Sequence, residues 1–271
     1  MNFKMIVTDL DDTLLNKEGQ ISKRNKEALY RAQEKGIVVV PVSGRSHYGM
    51  RQVADVLRLK EHNGYLISFN GARIFDYAKE EELFSSNVSS ADGELLYRLA
   101  MEHGAKLQTY RGNQIIVTGA NKYTEYEAGL TGMEVVCTED FCTEIQTFPT
   151  VKYVMTEEPE RLREIAEKIL PEIPKRLNVS FTKPFFLEFF DSETDKGTSV
   201  RKLAGYLGIQ REEILAFGDS YNDISMIEKA GFGVAMANAV EDAKRAADYV
   251  AGTNEEDGLA AVVEEYCLNK T

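Results

Sequence analysis

Three carboxylates fall within four residues near the start of the chain, in Met5-Ile6-Val7-Thr8-Asp9-Leu10-Asp11-Asp12-Thr13-Leu14-Leu15. The apolar run before them reads as a buried parallel strand, and apolar side chains resume directly after Thr13. Asp9 and Asp11 lie two apart, so an extended backbone points them the same way, and ionising both is disfavoured unless a cation is near. Hard oxygen donors suit Mg²⁺, and a divalent ion inverts the local pKa balance. The stretch therefore predicts a metal-assisted site at the carboxyl end of the first strand. Two plainer readings compete with it. Asp and Thr after a strand are often solvated turns or helix caps. An EF-hand loop is set aside, because counting from Asp9 it requires Gly sixth and an acid twelfth, where Leu14 and Gln20 stand.

The surrounding elements must bring further groups to this point. A helix capped by Ser22 and carrying Ala28, Leu29 and Ala32 on one face leads to a second buried run, Ile37 to Val42, whose exit is Ser43-Gly44-Arg45. A helix with Met50, Val53, Ala54 and Leu57 follows, then Tyr65-Leu66-Ile67-Ser68-Phe69 leading into Asn70-Gly71. Strand and helix in alternation mark a doubly wound parallel sheet. The alternation then breaks. Residues 82–188 read as an inserted α+β domain, with helices over 94–102 and 157–170 and short strands near 115–118, 151–155, 179–182 and 186–190. The sheet pattern resumes with Lys196-Gly197 opening a helix closed by Gly208, and a fourth strand, Ile214 to Phe217, exits into Gly218-Asp219-Ser220-Tyr221-Asn222-Asp223. The expected fold is α/β: a Rossmann-like core over residues 1–81 and 189–271 with the insert between.

Composition narrows the partners. The chain has 271 residues, 43% hydrophobic and 28% charged, with a formal charge of −12. Such acidity argues against nucleic acid or an anionic membrane as partner, though local positive charge still permits a phosphorylated small molecule. No apolar run reaches bilayer-spanning length and no targeting segment precedes the first strand, so cytoplasmic residence is expected. Cys137, Cys142 and Cys267 leave at least one thiol unpaired, which fits a reducing compartment. His47, His62 and His103 are scattered and are expected on the surface or in loops.

In an open doubly wound sheet the first and fourth strands are neighbours and ligands bind beyond their carboxyl ends. That rule sets Asp9 and Asp11 across a crevice from Asp219 and Asp223, with Ser43 alongside. Close carboxylates repel by about 4 kcal/mol per pair at an effective dielectric near 20. A metal held by Asp9, the backbone carbonyl of Asp11 and Asp219 relieves this. Asp223 is read equally as a ligand or as a structural acid in a helix's first turn. Asp12 and Thr13 are read as shaping and capping the turn.

The motifs Asp9-Leu10-Asp11-Asp12-Thr13, Ser43-Gly44-Arg45, Lys196-Gly197 and Gly218 to Asp223, in this order, resemble those of the haloacid dehalogenase-like hydrolase superfamily. The insert and Asn70-Gly71 are similar to its Cof-type phosphatase branch with a C2-type cap. The resemblance implies Mg²⁺-dependent hydrolysis of small phosphorylated metabolites, sugar phosphates foremost, through an aspartyl-phosphate. Asp9 would be the nucleophile, Asp11 the acid and base, and Lys196 a charge stabiliser. Asp9, Asp11, Asp219 and Asp223 would serve the metal. The Leu10 and Gly44 amides, Ser43, Arg45, Lys196 and Asn222 would hold the phosphate, while the insert closes over the crevice. The run Phe185-Phe186-Leu187-Glu188-Phe189-Phe190 is expected as core and hinge packing rather than a sugar platform. A phosphomutase or phosphotransferase, and a phosphometabolite sensor without turnover, remain as alternatives. A monomer or homodimer is expected.

Overall fold

The computed structural model describes residues 2–269. Its contacts divide the chain into two units, one formed by the residues up to Phe84 and from Asp195 onward, the other by Ser85–Thr194. The first segment carries β1 (Met5–Thr8), α1 (Lys23–Glu34), β2 (Val38–Pro41), α2 (Arg51–Val56), β3 (Tyr65–Ser68), β4 (Arg73–Asp76) and β5 (Glu81–Ser85). The insert carries α3 (Ser90–His103), β6 (Lys106–Arg111), β7 (Gln114–Val117), α4 (Lys122–Thr131), β8 (Glu134–Cys137), α5 (Phe141–Glu144), β9 (Lys152–Thr156), α6 (Pro159–Ile169), β10 (Leu177–Lys183) and β11 (Phe186–Asp191). The chain then returns with α7 (Lys196–Leu207), β12 (Ile214–Gly218), α8 (Ile224–Lys229), β13 (Phe232–Ala235), α9 (Glu241–Ala246), β14 (Tyr249–Val250) and α10 (Gly258–Val263).

In the first unit a five-stranded sheet has the order β14-β13-β12-β1-β2, and the pairs β14–β13, β13–β12, β12–β1 and β1–β2 are parallel. Thr8 lies level with Phe217 on one side and Pro41 on the other, so β1, β12 and β2 end together and present their exits at one edge. The strands are apolar throughout because both faces are covered. Ile6, Val39, Leu215 and Val234 pack with Leu29, Ala32 and Leu259 on one side, while Met5, Val7, Val40 and Ala216 pack with Val200, Leu203 and Met226 on the other.

The third strand departs from expectation. It joins β2 by a single parallel bridge, Val42 to Ile67, and instead heads a three-stranded sheet with β4 and β5 in which it runs antiparallel to β4. The reason lies in Pro41. The amides of Val38 and Val42 point to β1, donating to Lys4 and Thr8 carbonyls. The alternate position, residue 41, faces β3 and has no N–H to give.

The insert is a six-stranded sheet, β10-β11-β9-β6-β7-β8. Its pairs are antiparallel except β7 with β8. One face bears Leu107, Ile116, Tyr153, Met155, Leu187 and Phe189 under α3 and α6. The alternate residues face the other way and mix apolar Ile115, Val117 and Val154 with a polar network. There Lys152 donates to Glu188 at 2.8 Å, Thr182 donates to Glu188 at 3.0 Å, and Tyr110 donates to Glu127 of α4 at 2.6 Å. Gln108 also donates to Glu127 and accepts from Thr124 at 3.0 Å.

The insert spans Ser85–Thr194, starting just inside the 82 read from sequence and ending beyond the 188, because β11 pairs with β9 as far as Phe190 and with β10 as far as Asp191. Within the return, Phe186, Leu187 and Phe189 are core as expected, whereas Phe185 is half-buried at the hairpin tip. His47 is more enclosed than expected: its ring stacks on Phe75 at 5.1 Å, and burial, with Arg73 and Arg51, pushes it down to about 4. The three cysteines are free thiols. Among the described residues no helix is long and apolar enough to cross a membrane.

Candidate active site

Asp9 leaves the end of β1 with its amide donating to the Phe217 carbonyl at 3.0 Å, so the backbone is still part of the ladder when the carboxylate emerges. The chain then makes one wide turn, closed by the Leu15 amide on the Leu10 carbonyl at 2.8 Å, with Asp12 in the left-handed region at φ 62. Asp tolerates that conformation better than most residues. The turn sinks the Leu10 and Leu14 side chains into the core and brings Thr13 back beside the strand exits. Thr13 does more than cap the turn, the role read from sequence: wholly buried, it donates to Asp219 Oδ1 at 2.5 Å.

Lys196 opens α7. Asp195 caps that helix by accepting from the Thr198 amide at 2.8 Å and is pinned by Lys229 at 3.1 Å. Helix α7 can approach α8 only because residue 197 is Gly: a Cβ there would stand 2.1 Å from the Ser225 carbonyl. The Lys196 side chain is thereby delivered to the exits of β1 and β12, where it donates to Asp9 Oδ1 at 2.5 Å and Asp223 Oδ1 at 2.6 Å. Asp223 uses its other oxygen to accept the amides of Asp219 and Ser220, at 3.0 and 2.9 Å, and so shapes the loop after β12. Gly218 makes room for it, since a Cβ would lie 2.4 Å from that of Asp223.

Asp9, Asp219 and Asp223 each place one carboxylate oxygen within 4.8 Å of the others. The strand neighbours inferred from sequence do bring these acids together. Three carboxylates face one ammonium, so ionising all three would leave two negative charges without a counter-charge. Burial accordingly pushes the Asp9 carboxyl up, to about 8, against the pull of Lys196 and with Asp223 and Asp219 adding to the rise. Burial also lifts Asp219, to about 6, opposed by the Thr13 bond and reinforced by Asp223. For Lys196 burial works downward, but Asp9 and Asp223 outweigh it and hold the amine above its ordinary value as an ammonium. A charge deficit of two among hard oxygen donors fits a divalent cation such as Mg²⁺.

The Asp11 side chain lies outside this cluster. It is exposed, and Arg45 grips it bidentately at 3.0 and 2.5 Å. The Asp11 side chain therefore adds no oxygen to the cluster of Asp9, Asp219 and Asp223. Arg45, read as a phosphate contact, is engaged with this acid. Ser43 is buried and accepts the Arg45 amide at 3.2 Å. Leu10's side chain is in the core, so any contact it makes with a ligand is through its backbone. The exits of β2 and β3 are stitched together by Asn70 N–H to the Ser43 carbonyl at 3.0 Å, and Asn222 donates to Asn70 Oδ1 at 3.0 Å. Gly44 abuts the same Asn70, 3.2 Å from where a Cβ would stand. Sequence reasoning singled out Asn70 and Asn222 separately; their mutual contact, 152 positions apart, had no local signal.

Comparison with known proteins gives a consistent placement. Residues 6–263 match the family described as haloacid dehalogenase-like hydrolase. A Bacillus subtilis protein named 5-amino-6-(5-phospho-D-ribitylamino)uracil phosphatase YcsE is 30% identical, covering 99% of this chain and 97% of its own. A haloacid dehalogenase-like hydrolase from Bacteroides thetaiotaomicron superposes with TM-score 0.92 at 38% identity, over 97% of this chain and 99% of that one. The HAD subclass IIB sugar phosphatase BT4131 superposes with TM-score 0.80 at 25% identity, over 98% and 99%.

Proposed function

The chain belongs to the haloacid dehalogenase-like hydrolases and is a phosphoric monoester hydrolase, and from that premise we propose that it is a Mg²⁺-dependent phosphatase of small phosphorylated metabolites, sugar phosphates foremost, working through a phosphorylated Asp9. One observation carries the reading: Lys196 joins Asp9 to Asp223 while Asp219, partly buried, stands within the same 4.8 Å cluster, so carboxylates outnumber the ammonium by two.

Asp9, Asp219 and the Asp11 carbonyl would hold the metal, which supplies charge neutralisation for the incoming phosphate dianion. Asp9 attacks phosphorus in line; the new O–P bond forms as the bond to the alcohol oxygen breaks. Asp11, protonated, gives the leaving alkoxide its proton. In the second half a water oxygen attacks phosphorus, Asp11 as carboxylate takes the water's proton, and the Asp9–phosphorus bond breaks to release inorganic phosphate. Asp11 must leave Arg45 to serve in these steps, and that pair is exposed enough to separate cheaply, being worth roughly 0–1 kcal/mol. Lys196 keeps Asp9 aimed and offsets developing negative charge. Ser43, Asn222 and the Leu10 and Gly44 amides are assigned to the phosphoryl oxygens. Asp223, with both oxygens engaged, is assigned to positioning Lys196 and the loop after β12.

The test is phosphate release from a panel of phosphorylated metabolites with MgCl₂, joined to rapid quenching and mass spectrometry. The peptide containing Asp9 is expected to be heavier by one phosphoryl group during turnover. A panel that yields no inorganic phosphate, or a phosphoryl group that resides elsewhere, overturns the reading. Sugar-to-sugar transfer without free phosphate would identify a phosphotransferase instead.

A further inference from the structure

The proposed chemistry leaves unused a cleft that lies wholly within the insert. Where α4 begins and the β10–β11 hairpin turns, Lys122, Tyr123, Tyr126, Lys183, Pro184 and Phe185 line an open cleft of about 550 Å³, a size suited to a small molecule. Hairpin tips are ordinarily made of Gly, Asn and Asp. This one is Lys183-Pro184-Phe185, and the pairing of β10 with β11 shifts register between Phe181 and Lys183. Such irregularities re-aim side chains.

The aromatic groups form a ready surface. Phe185 lies nearly parallel to Tyr123, with centroids 4.5 Å apart and 15° between planes, and Tyr126 meets Phe185 edge-on at 5.6 Å. Tyr123 is fixed from behind by its hydroxyl, which donates to Glu158 at 2.8 Å. Tyr126 nonetheless stays 43% exposed. A surface already ordered costs little further entropy when a ligand lands on it. The two ammonium groups differ. Lys122 is committed to Glu158 at 2.5 Å. Lys183 lies 5.9 Å from the centre of the Tyr126 ring and, among the described residues, has no carboxylate partner. In a chain of net charge −12 a cation left unpaired beside exposed rings is a selective feature.

We infer that this cleft binds a small molecule with a planar aromatic or heteroaromatic ring bearing an anionic group, the ring against Tyr126 and Phe185 and the anion at Lys183. Offset and edge contacts between rings supply the first part and a charge-assisted bond the second. The same chemistry belongs either to the non-phosphate half of a substrate, in which case the inference rests on the phosphatase reading, or to a separate effector.

The test titrates the full chain with naphthalenesulfonate by calorimetry, with cyclohexanesulfonate as the non-aromatic control. Saturable binding is expected, weakened roughly tenfold or more in Lys183→Gln and in Phe185→Leu, and weaker by a similar factor for the cyclohexane compound. Thermal melting checks that each variant is folded; if Phe185→Leu is not, Tyr126→Leu, at an exposed ring, replaces it. Absence of saturable heat, or affinities indifferent to these changes or to aromaticity, overturns the inference. The source is read separately. If the ring belongs to the substrate, the sulfonate competes with a naphthyl phosphate that carries a ring sulfonate, and Lys183→Gln raises KM for that ester while leaving glycerol phosphate unchanged. If it belongs to an effector, the sulfonate binds without competing. A protein that binds the sulfonate but releases no phosphate from any ester keeps this site and sinks the phosphatase reading.

Discussion

Both units of the molecule bury a lysine among carboxylates, and they resolve the resulting charge in opposite ways. In the insert, Lys152 meets Glu188 directly, and the rest of the acidic charge is met by neutral donors: Thr182 on Glu188, Tyr110 and Gln108 on Glu127. In the catalytic unit, Lys196 meets Asp9 and Asp223, and among the described residues the side-chain donor to the Asp219 carboxylate is the Thr13 hydroxyl. A network furnished with hydroxyl and amide donors is complete as it stands and serves architecture. One that is short of donors and positive charge is unfinished until a cation arrives. Burial alone therefore does not mark a site; the balance of donors against acceptors does.

The widest gap between the two clusters is expected in turnover. Asp9→Asn should reduce phosphate release by roughly a thousandfold or more, since the nucleophile is gone, while Glu188→Gln should leave kcat within about twofold. A steady-state assay with Mg²⁺ decides, and comparable losses would erase the distinction between the two clusters. Stability comes next. Lys196→Met and Lys152→Met each strand buried acids and should each cost roughly 3–5 kcal/mol without metal. Only the Lys196→Met loss should be partly recovered by adding Mg²⁺, read from thermal melts with metal and with chelator; equal recovery in both would mean the core cluster holds no cation. Metal affinity gives a smaller effect: Asp219→Asn is expected to weaken Mg²⁺ roughly tenfold by titration, with Asp12→Asn nearly silent because its side chain is exposed.

The finest test is in pH. Asp9 and Asp219 bind protons more tightly folded than unfolded, so their ionisation opposes folding, and the opposition grows as pH rises from about 4 through about 6 for Asp219 and about 8 for Asp9. Lys196, raised rather than lowered, stays charged across that window and adds no slope. Chelated protein should therefore lose a few degrees of melting temperature between pH 5 and 8, relative to protein in Mg²⁺. Parallel curves would show that the cation does not reach these carboxylates.

Much of the catalytic unit was legible because its strands are short apolar runs ending in polar clusters, and a parallel sheet allows few other assignments for Met5–Thr8 or Ile214–Gly218. What escaped has a common cause in separation along the chain. The bond from Thr13 to Asp219 spans 206 positions, and nothing in the local sequence distinguishes this threonine from a turn cap. The pairing of the Asp11 carboxylate with Arg45, 34 positions away, likewise has no local signal. In the insert, β6 and α4 were missed because their apolar and polar residues serve two different faces, so neither shows a clean period. Phe185 was merged with its buried neighbours because a run of aromatics does not reveal which ring sits at the bend.

The central sheet also has two unwelcoming rims. At one side β3 already lies against β2, bridged at Val42 and Ile67 where Pro41 withholds a donor, and at the other the last strand, Tyr249–Val250, is only two residues long. Neither border presents a ladder long enough for a foreign backbone to dock and propagate. The apolar faces of these valine- and isoleucine-rich strands are thus turned inward, and little of their backbone is offered for further pairing.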